Sequence, residues 1–122
     1  MKLGVMTVCL SSLSLDEACR YLKEQGVQQV EIGCGGSPGT AHCDARKMAG
    51  DPAAAKHGLT ISAFAVHGNP LHPDQETAGT AHAEFEAAVL LAERLGVKTV
   101  ITFSGCPGDC ENSQYPNWSI AS

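Results

Sequence analysis

Three segments of the sequence carry side chains suited to binding or activating a small molecule, and each follows a short apolar run. They are residues 33–44, 67–74 and 104–110. All three are rich in glycine or proline, and all three contain a histidine or a cysteine. The candidate substrate-binding residues in these segments are His42, His67, Asn69, His72, Cys106 and Asp109.

The middle segment is the most informative, because His67 comes directly after its apolar run. An imidazole near neutral pH binds metals, carries protons and hydrogen-bonds sugar hydroxyls. Pro70 and Pro73 stiffen the chain around it and reduce the entropy lost when side chains are positioned. We therefore expect His67 to have a functional role. The alternatives are that His67 caps the strand end and that His72 is solvated.

The last segment combines a glycine-rich turn with two cysteines, Cys106 and Cys110. Its backbone amides suit a phosphate or carboxylate, and Asp109 could reach a substrate hydroxyl or a metal. A tight turn in which Asp109 caps its own backbone is the alternative. These cysteines, with Cys34, His42 and Cys43, also allow a small binding module that uses its cysteines for zinc or for a redox partner, although the spacing matches no common zinc motif.

The six cysteines favour reduced thiols over a disulfide framework, because Cys19 falls inside a helical pattern and the strand–helix rhythm needs no cross-links. The run from Leu3 to Leu10 superficially resembles a signal peptide. It lacks a clear cleavage site, and it is better interpreted as a buried parallel strand. We predict a cytoplasmic protein.

The elements that position these segments repeat along the chain. Gly26, Gly58 and Gly96 each end a helix and precede an apolar residue and a β-rich run, as in successive βαβ units. The spacing predicts four parallel strands joined by right-handed crossovers. The predicted strands are Lys2–Val8, Gln29–Ile32, Thr60–Val66 and Lys98–Phe103.

Three helices are predicted between the strands. Ser14 and Glu17 form a capping box, and the buried face of that helix is Leu15, Ala18, Cys19 and Leu22. A second helix falls somewhere in Ala45–His57, interrupted near Pro52. The third spans Gln75–Leu95, with Ala81, Phe85, Ala88, Val89 and Ala92 predicted to be buried and Glu84, Glu86 and Glu93 exposed.

The composition is that of a globular protein, with 43% hydrophobic residues, 17% charged residues and a net charge of −5. No apolar run is long enough to span a membrane, so no membrane partner is expected. The acidic charge argues against nucleic acid as a partner, because phosphates are bound by basic surfaces.

At these segments the sequence resembles the sugar phosphate isomerase/epimerase family, whose members have a xylose-isomerase-like barrel. The similar segments are residues 2–5, 31–33, 38–43, 67–73, 102–109 and 115–118. His-Gly-Asn-Pro at 67–70 and Ser-Gly-Cys-Pro-Gly-Asp at 104–109 are the more specific of them. The resemblance spans nearly the whole chain but only the first half of a family member.

The resemblance implies an α/β fold in which residues 1–122 form the first half, about four strands, of a (β/α)8 barrel. It also implies an enzyme that isomerises or epimerises a sugar or sugar phosphate. In such enzymes a divalent metal (Mn, Mg, Co or Zn) grips two substrate oxygens, and a carboxylate moves a proton through an enediol-type intermediate. The metal ligands of the family lie on later strands, so catalytic residues are expected beyond residue 122.

By the same resemblance, the six candidate residues would line the substrate pocket. His67 alone has a claim on the metal, because endonuclease-type relatives use a histidine after the third strand as a zinc ligand. Such an endonuclease is an alternative function that the acidic charge disfavours. A half barrel exposes the edges of its outer strands, so we expect the isolated chain to self-associate and to be inactive alone.

Overall fold

The chain forms a four-stranded, all-parallel sheet with strand order β1-β2-β3-β4, interleaved with helices. The computed structural model describes residues 1–36, 42–48, 54–108 and 114–115. The strands are β1 (Gly4–Met6), β2 (Gln29–Gly35), β3 (Thr60–Val66) and β4 (Val100–Thr102). The helices are α1 (Leu15–Glu24) and α2 (Gln75–Leu95), with 3-10 helices at Thr7–Leu10 and Ala55–His57. This α/β architecture is consistent with half of a β/α barrel, as the sequence predicted.

The strand ends differ from the prediction at three of the four strands. β1 stops at Met6 because the chain turns into a 3-10 helix, where the buried hydroxyl of Thr7 accepts a hydrogen bond from the Gly33 N–H at 3.3 Å. β2 continues to Gly35, beyond the predicted end at Ile32, while β4 is shorter than predicted. β3 has the predicted bounds.

The first helix is confirmed in detail. The Ser14 hydroxyl accepts the Glu17 N–H at 3.3 Å, and the Glu17 carboxylate accepts the Ser14 N–H at 3.0 Å. This reciprocal pair satisfies two donors that the helix start leaves open. The predicted inward-facing residues are buried: Leu15, Ala18, Cys19 and Leu22.

The predicted second helix is not an α-helix within the described residues of that region, which are 42–48 and 54–57. The Asp44 carboxylate accepts the Arg46 N–H at 3.1 Å and its carbonyl accepts the Lys47 N–H at 2.9 Å, so the chain makes a tight turn there. Residues 49–53 lie outside the described part.

Helix α2 has the predicted bounds but turns a different face to the sheet. Its buried residues are Ala81, Glu84, Ala88, Leu91 and Ala92. Ala81, Ala88 and Ala92 are buried as predicted. The prediction was wrong for Glu84, which is 8% exposed, and for Val89, which is 42% exposed, and Phe85 is only partly buried. Gly96 ends the helix with a φ of 69°, and Gly26 and Gly58 also have positive φ, as the repeat predicted.

The main core lies between the helices and one face of the sheet. Val30 pairs with Ile61 and Ile32 with Phe64, and the register shift between those pairs leaves Ser62 as an extra residue in β3. Because of this shift, both pairs face the same core.

Candidate functional site

The carboxyl ends of the four strands meet at one edge of the sheet, and the connectors after β2, β3 and β4 contact one another there. We call this edge the rim: residues 36, 67–72 and 103–106. The His67 N–H donates to the Gly35 carbonyl at 3.1 Å. The His67 ring stacks on Phe103, with ring centroids 4.9 Å apart and an interplanar angle of 24°. The side chain of His67 is thus positioned by all three of these strands.

Asn69 joins the connector after β3 to the connector after β4. Its amide nitrogen donates to the Cys106 carbonyl at 2.9 Å, and its amide oxygen accepts the Cys106 N–H at 2.9 Å. The same oxygen accepts the Leu71 N–H at 3.3 Å. Asn69 and Cys106 are therefore brought together, and the amide of Asn69 is hydrogen-bonded to the backbone of Cys106.

Two rim positions require glycine. Gly36 has a φ of +71°, and a β-carbon there would lie 2.5 Å from the carbonyl of His67. Gly105 has a φ of +95°, and a β-carbon there would lie 2.7 Å from the amide oxygen of Asn69. Both contacts are shorter than atoms tolerate, so the glycines permit the close approach of neighbouring connectors.

His72 lies at the end of the rim, where the chain enters α2. Its Nδ1 accepts the Asp74 N–H at 3.0 Å. Asp74 in turn caps α2, accepting the Thr77 N–H at 2.8 Å and the Thr77 hydroxyl at 2.6 Å. These two hydrogen bonds lower the pKa of Asp74, so it is a carboxylate at neutral pH. One nitrogen of His72 is thus used to shape the turn.

His42 is placed away from this cluster, against the connector after β1. Its ring is 7% exposed, and its Nε2 lies 3.1 Å from the Leu13 carbonyl. Its Nδ1 is buried and has no hydrogen-bond partner among the described residues. The structure therefore gives His42 a packed position rather than an open one.

A cleft of about 440 Å³ lies between the rim and the first half of α2. His67, Gly68 and Asn69 form one side, and the helix forms the other. The helix contributes Asp74, Glu76, Thr77, Thr80, Ala81 and Glu84. The lining is mainly acidic and hydroxylic, which suits a polar ligand with several hydroxyl groups.

Glu84 is the buried carboxylate of this cleft. Its Oε2 accepts the Gly36 N–H at 2.8 Å, and its Oε1 lies 3.8 Å from the guanidinium of Arg46. Arg46 also bonds Asp44 at 3.2 Å, and hydrogen bonds from Arg46 and Lys47 lower the pKa of Asp44. Glu84 consequently ties α2 to the connector after β2, directly behind the backbone of His67.

Sequence patterns missed Glu84, Thr77 and Thr80 as lining residues. Glu84 had one usable signal, since it stands three residues after Ala81 and four before Ala88, on a buried helical stripe. The two threonines carry no signal beyond their position in the first turns of a helix.

The described residues do not form a metal site by themselves. Among residues 1–36, 42–48, 54–108 and 114–115, no three His, Cys, Asp or Glu side chains come close enough to hold an ion. His67 is stacked on an aromatic ring and belongs to no such group of three in that part of the chain. Asp109 and Cys110 fall outside the described residues.

No protein-family profile matches the chain. The chain is 28% identical over 127 aligned residues to the uncharacterized protein YfiH of Bacillus subtilis (strain 168), and the alignment covers 97% of the chain. The chain spans about 40% of the length of that relative. Within the described residues, no helix is both long and apolar enough to cross a lipid bilayer.

Proposed function

We propose that this chain is the first half of a metal-dependent sugar or sugar phosphate isomerase/epimerase and that its rim binds the substrate. The observation that carries the proposal is the convergence of His67, Asn69 and Cys106 at the carboxyl ends of adjacent parallel strands. Parallel α/β folds place their ligands at this end of the sheet. The proposal also draws on the sequence resemblance described above.

His67 is the residue of this chain best suited to contact a sugar. One face of its ring packs on Phe103, and the residue lines the cleft. Its edge can therefore donate to or accept from a hydroxyl group while the stacking fixes the ring plane. His42 and His72 each already have a ring nitrogen within hydrogen-bonding distance of the backbone.

Asn69 and Cys106 act by positioning in this proposal. The double hydrogen bond between them fixes the connector after β4 relative to His67. The half-buried side chain of Cys106 is thereby held in a fixed place within the rim. A rigid pair of connectors reduces the entropy lost when a flexible polyol is bound.

The metal and the base that moves the proton are assigned to residues outside the described part, because the described residues offer no ligand set. In this proposal the present half contributes substrate contacts and the shape of the pocket. The proposal therefore predicts binding by this chain and turnover only by a protein that also carries those further groups.

The test is a titration of the chain with a panel of aldoses, ketoses and their phosphates, followed by NMR of the histidine imidazoles. We expect one class of sugar to shift the His67 resonances and the variant His67→Gln to bind it about tenfold more weakly, as for a lost hydrogen bond of roughly 1.4 kcal/mol. His57→Gln is the matched control, because His57 precedes β3 and lies at the opposite end of that strand. Equal affinity of His67→Gln and the parent chain, or no shift with any sugar, would contradict the proposal.

A further inference from the structure

The cleft beside His67 contains two backbone positions of the kind that holds phosphate groups in other proteins. One is the start of α2, because the N–H groups at a helix N-terminus point outward and favour anions. The other is the turn at Gly36, because the N–H groups of glycine turns form concavities that bind anions. Both positions belong to the lining of the cleft.

Carboxylates of the chain itself occupy both positions. At the start of α2, the Asp74 carboxylate accepts the Thr77 N–H at 2.8 Å and the Thr77 hydroxyl at 2.6 Å. At the glycine turn, the Glu84 carboxylate accepts the Gly36 N–H at 2.8 Å. A phosphate at either position would therefore meet a negative charge where it needs a donor.

The other charge of the described lining has the same sign. Glu76 is exposed on the first turn of α2, and the lining combines it with Asp74 and Glu84 but includes no lysine or arginine. The guanidinium of Arg46 lies 3.8 Å from Glu84, but it also bonds Asp44 at 3.2 Å, so its charge is shared. A phosphate monoester carries a charge of roughly −1.5 to −2 at neutral pH, and this lining would repel it.

We propose that the cleft selects a sugar without a phosphate group and that Glu76 contributes to this selection. Sugar hydroxyl groups can donate to the carboxylates and can exchange hydrogen bonds with the hydroxyls of Thr77 and Thr80. The lining that repels a phosphate is thus suited to an uncharged polyol. This selection rests on the proposed function, and it narrows the substrate class from sugars and sugar phosphates to unphosphorylated sugars.

The test uses matched pairs of ligands, with fructose, glucose and ribose each titrated beside its own terminal monophosphate ester. Binding is followed at low ionic strength through the imidazole resonances of His67. We expect the sugar that shifts His67 to bind at least about tenfold more tightly than its phosphate ester, because like charges oppose each other across the contact. Added salt should reduce this difference by screening the repulsion, and inorganic phosphate should not displace the bound sugar.

Two variants of α2 test the role of Glu76. Glu76→Gln removes one charge from the lining and leaves the hydrogen bonds of Asp74 and Glu84 in place, so the preference for the unphosphorylated sugar should fall about threefold. Glu86→Gln is the matched control. Glu86 is exposed on the same helix and is not part of the cleft lining, so this variant should keep the preference of the parent chain.

The outcomes separate the selection from the proposed function. A phosphate ester that shifts His67 and binds as tightly as its parent sugar would overturn the selection and leave the proposed function in place. Equal preferences in Glu76→Gln and Glu86→Gln would overturn the role of Glu76. No shift of His67 with any member of the pairs would contradict the proposed function and the selection together.

Discussion

At the scale of single residues, the three candidate histidines have three different environments. His42 is buried beside the Leu13 carbonyl, His72 accepts a backbone N–H, and His67 is stacked on Phe103 and lines the cleft. Residue type and spacing made all three candidates and favoured His67. What separates them is the hydrogen-bond partner that each finds in the folded chain.

Asn69 provides a test of the rim at this scale. Asn69→Ala removes both hydrogen bonds to Cys106, so we expect it to lower the free energy of unfolding by about 1 to 3 kcal/mol. Asn69→Asp keeps the acceptor for the Cys106 N–H but places a second carboxylate oxygen against the Cys106 carbonyl, so it should also destabilise the chain. Urea denaturation measures the free energy of unfolding of both variants. A loss below about 0.5 kcal/mol for Asn69→Ala would contradict a stabilising role for the two hydrogen bonds between Asn69 and Cys106.

Glu84 provides a second test. Glu84→Ala leaves the Gly36 N–H without its acceptor, and we expect a loss of about 1 to 3 kcal/mol in unfolding free energy. Glu84→Gln retains an acceptor and should lose less. Glu86→Ala is the matched control, because Glu86 is exposed on the same helix and should change stability by less than about 0.5 kcal/mol. Equal losses at the two positions would count against a buried role for Glu84.

At the scale of elements, Gly36 and Gly79 differ in whether the fold requires a glycine at that position. Gly36 has a positive φ and no room for a β-carbon, whereas Gly79 lies within α2 with nothing within 4 Å of that position. We expect Gly36→Ala to destabilise the chain by at least about 2 kcal/mol. Gly79→Ala should stabilise it by about 0.5 to 1 kcal/mol, because alanine is the better helix former. Thermal unfolding of the two variants should therefore shift in opposite directions, and shifts of the same sign would refute this comparison.

Most elements were predictable because local signals fix them. The Ser14 capping box, the apolar run of β3 and the helix-ending Gly96 are all written in short stretches of sequence. The inward face of α2 was not predictable from local signals. The residues before and after Glu84 fit two overlapping helical stripes of buried residues. The contact with the Gly36 N–H decides between them, and such a contact is long-range in sequence.

The rim was predictable only in outline. Parallel strands predict that connectors gather at one edge, and the hydrogen bonds between Asn69 and Cys106 agree with this. Which side chain is open and which is committed to the backbone depends on distances that spacing does not encode. The lining contributed by α2 was missed for the same reason.

At the scale of the whole molecule, the surface carries exposed apolar residues beside the last strand. Val89 and Leu90 on α2 are 42% and 56% exposed, and Ile101 on β4 is 37% exposed. Within the described residues β4 is the last strand of the sheet and pairs with β3, and the outer strand of a sheet is a common site of association. This is the surface through which the predicted self-association should occur.

The prediction is that sedimentation velocity finds dimers or larger species whose share rises with concentration. Leu90→Glu should shift the distribution toward monomer, because it places a charge on the apolar surface. Gln75→Glu is a control with the same charge change on an exposed part of α2 away from β4. A monomer at all concentrations, or equal effects of the two variants, would show that this surface does not associate.

The proposed function is tested most directly by proton exchange in a chimeric protein that is longer than this chain. The chain can replace the segment that it matches in the Bacillus subtilis relative, and the chimera can be incubated in deuterated water with divalent metal and the sugar that shifts His67. We predict that deuterium enters the sugar at the carbon next to the carbonyl, that His67→Gln slows this at limiting sugar by about tenfold, and that His57→Gln does not. No deuterium entry in the chimera, or equal rates for the two variants, would contradict the account.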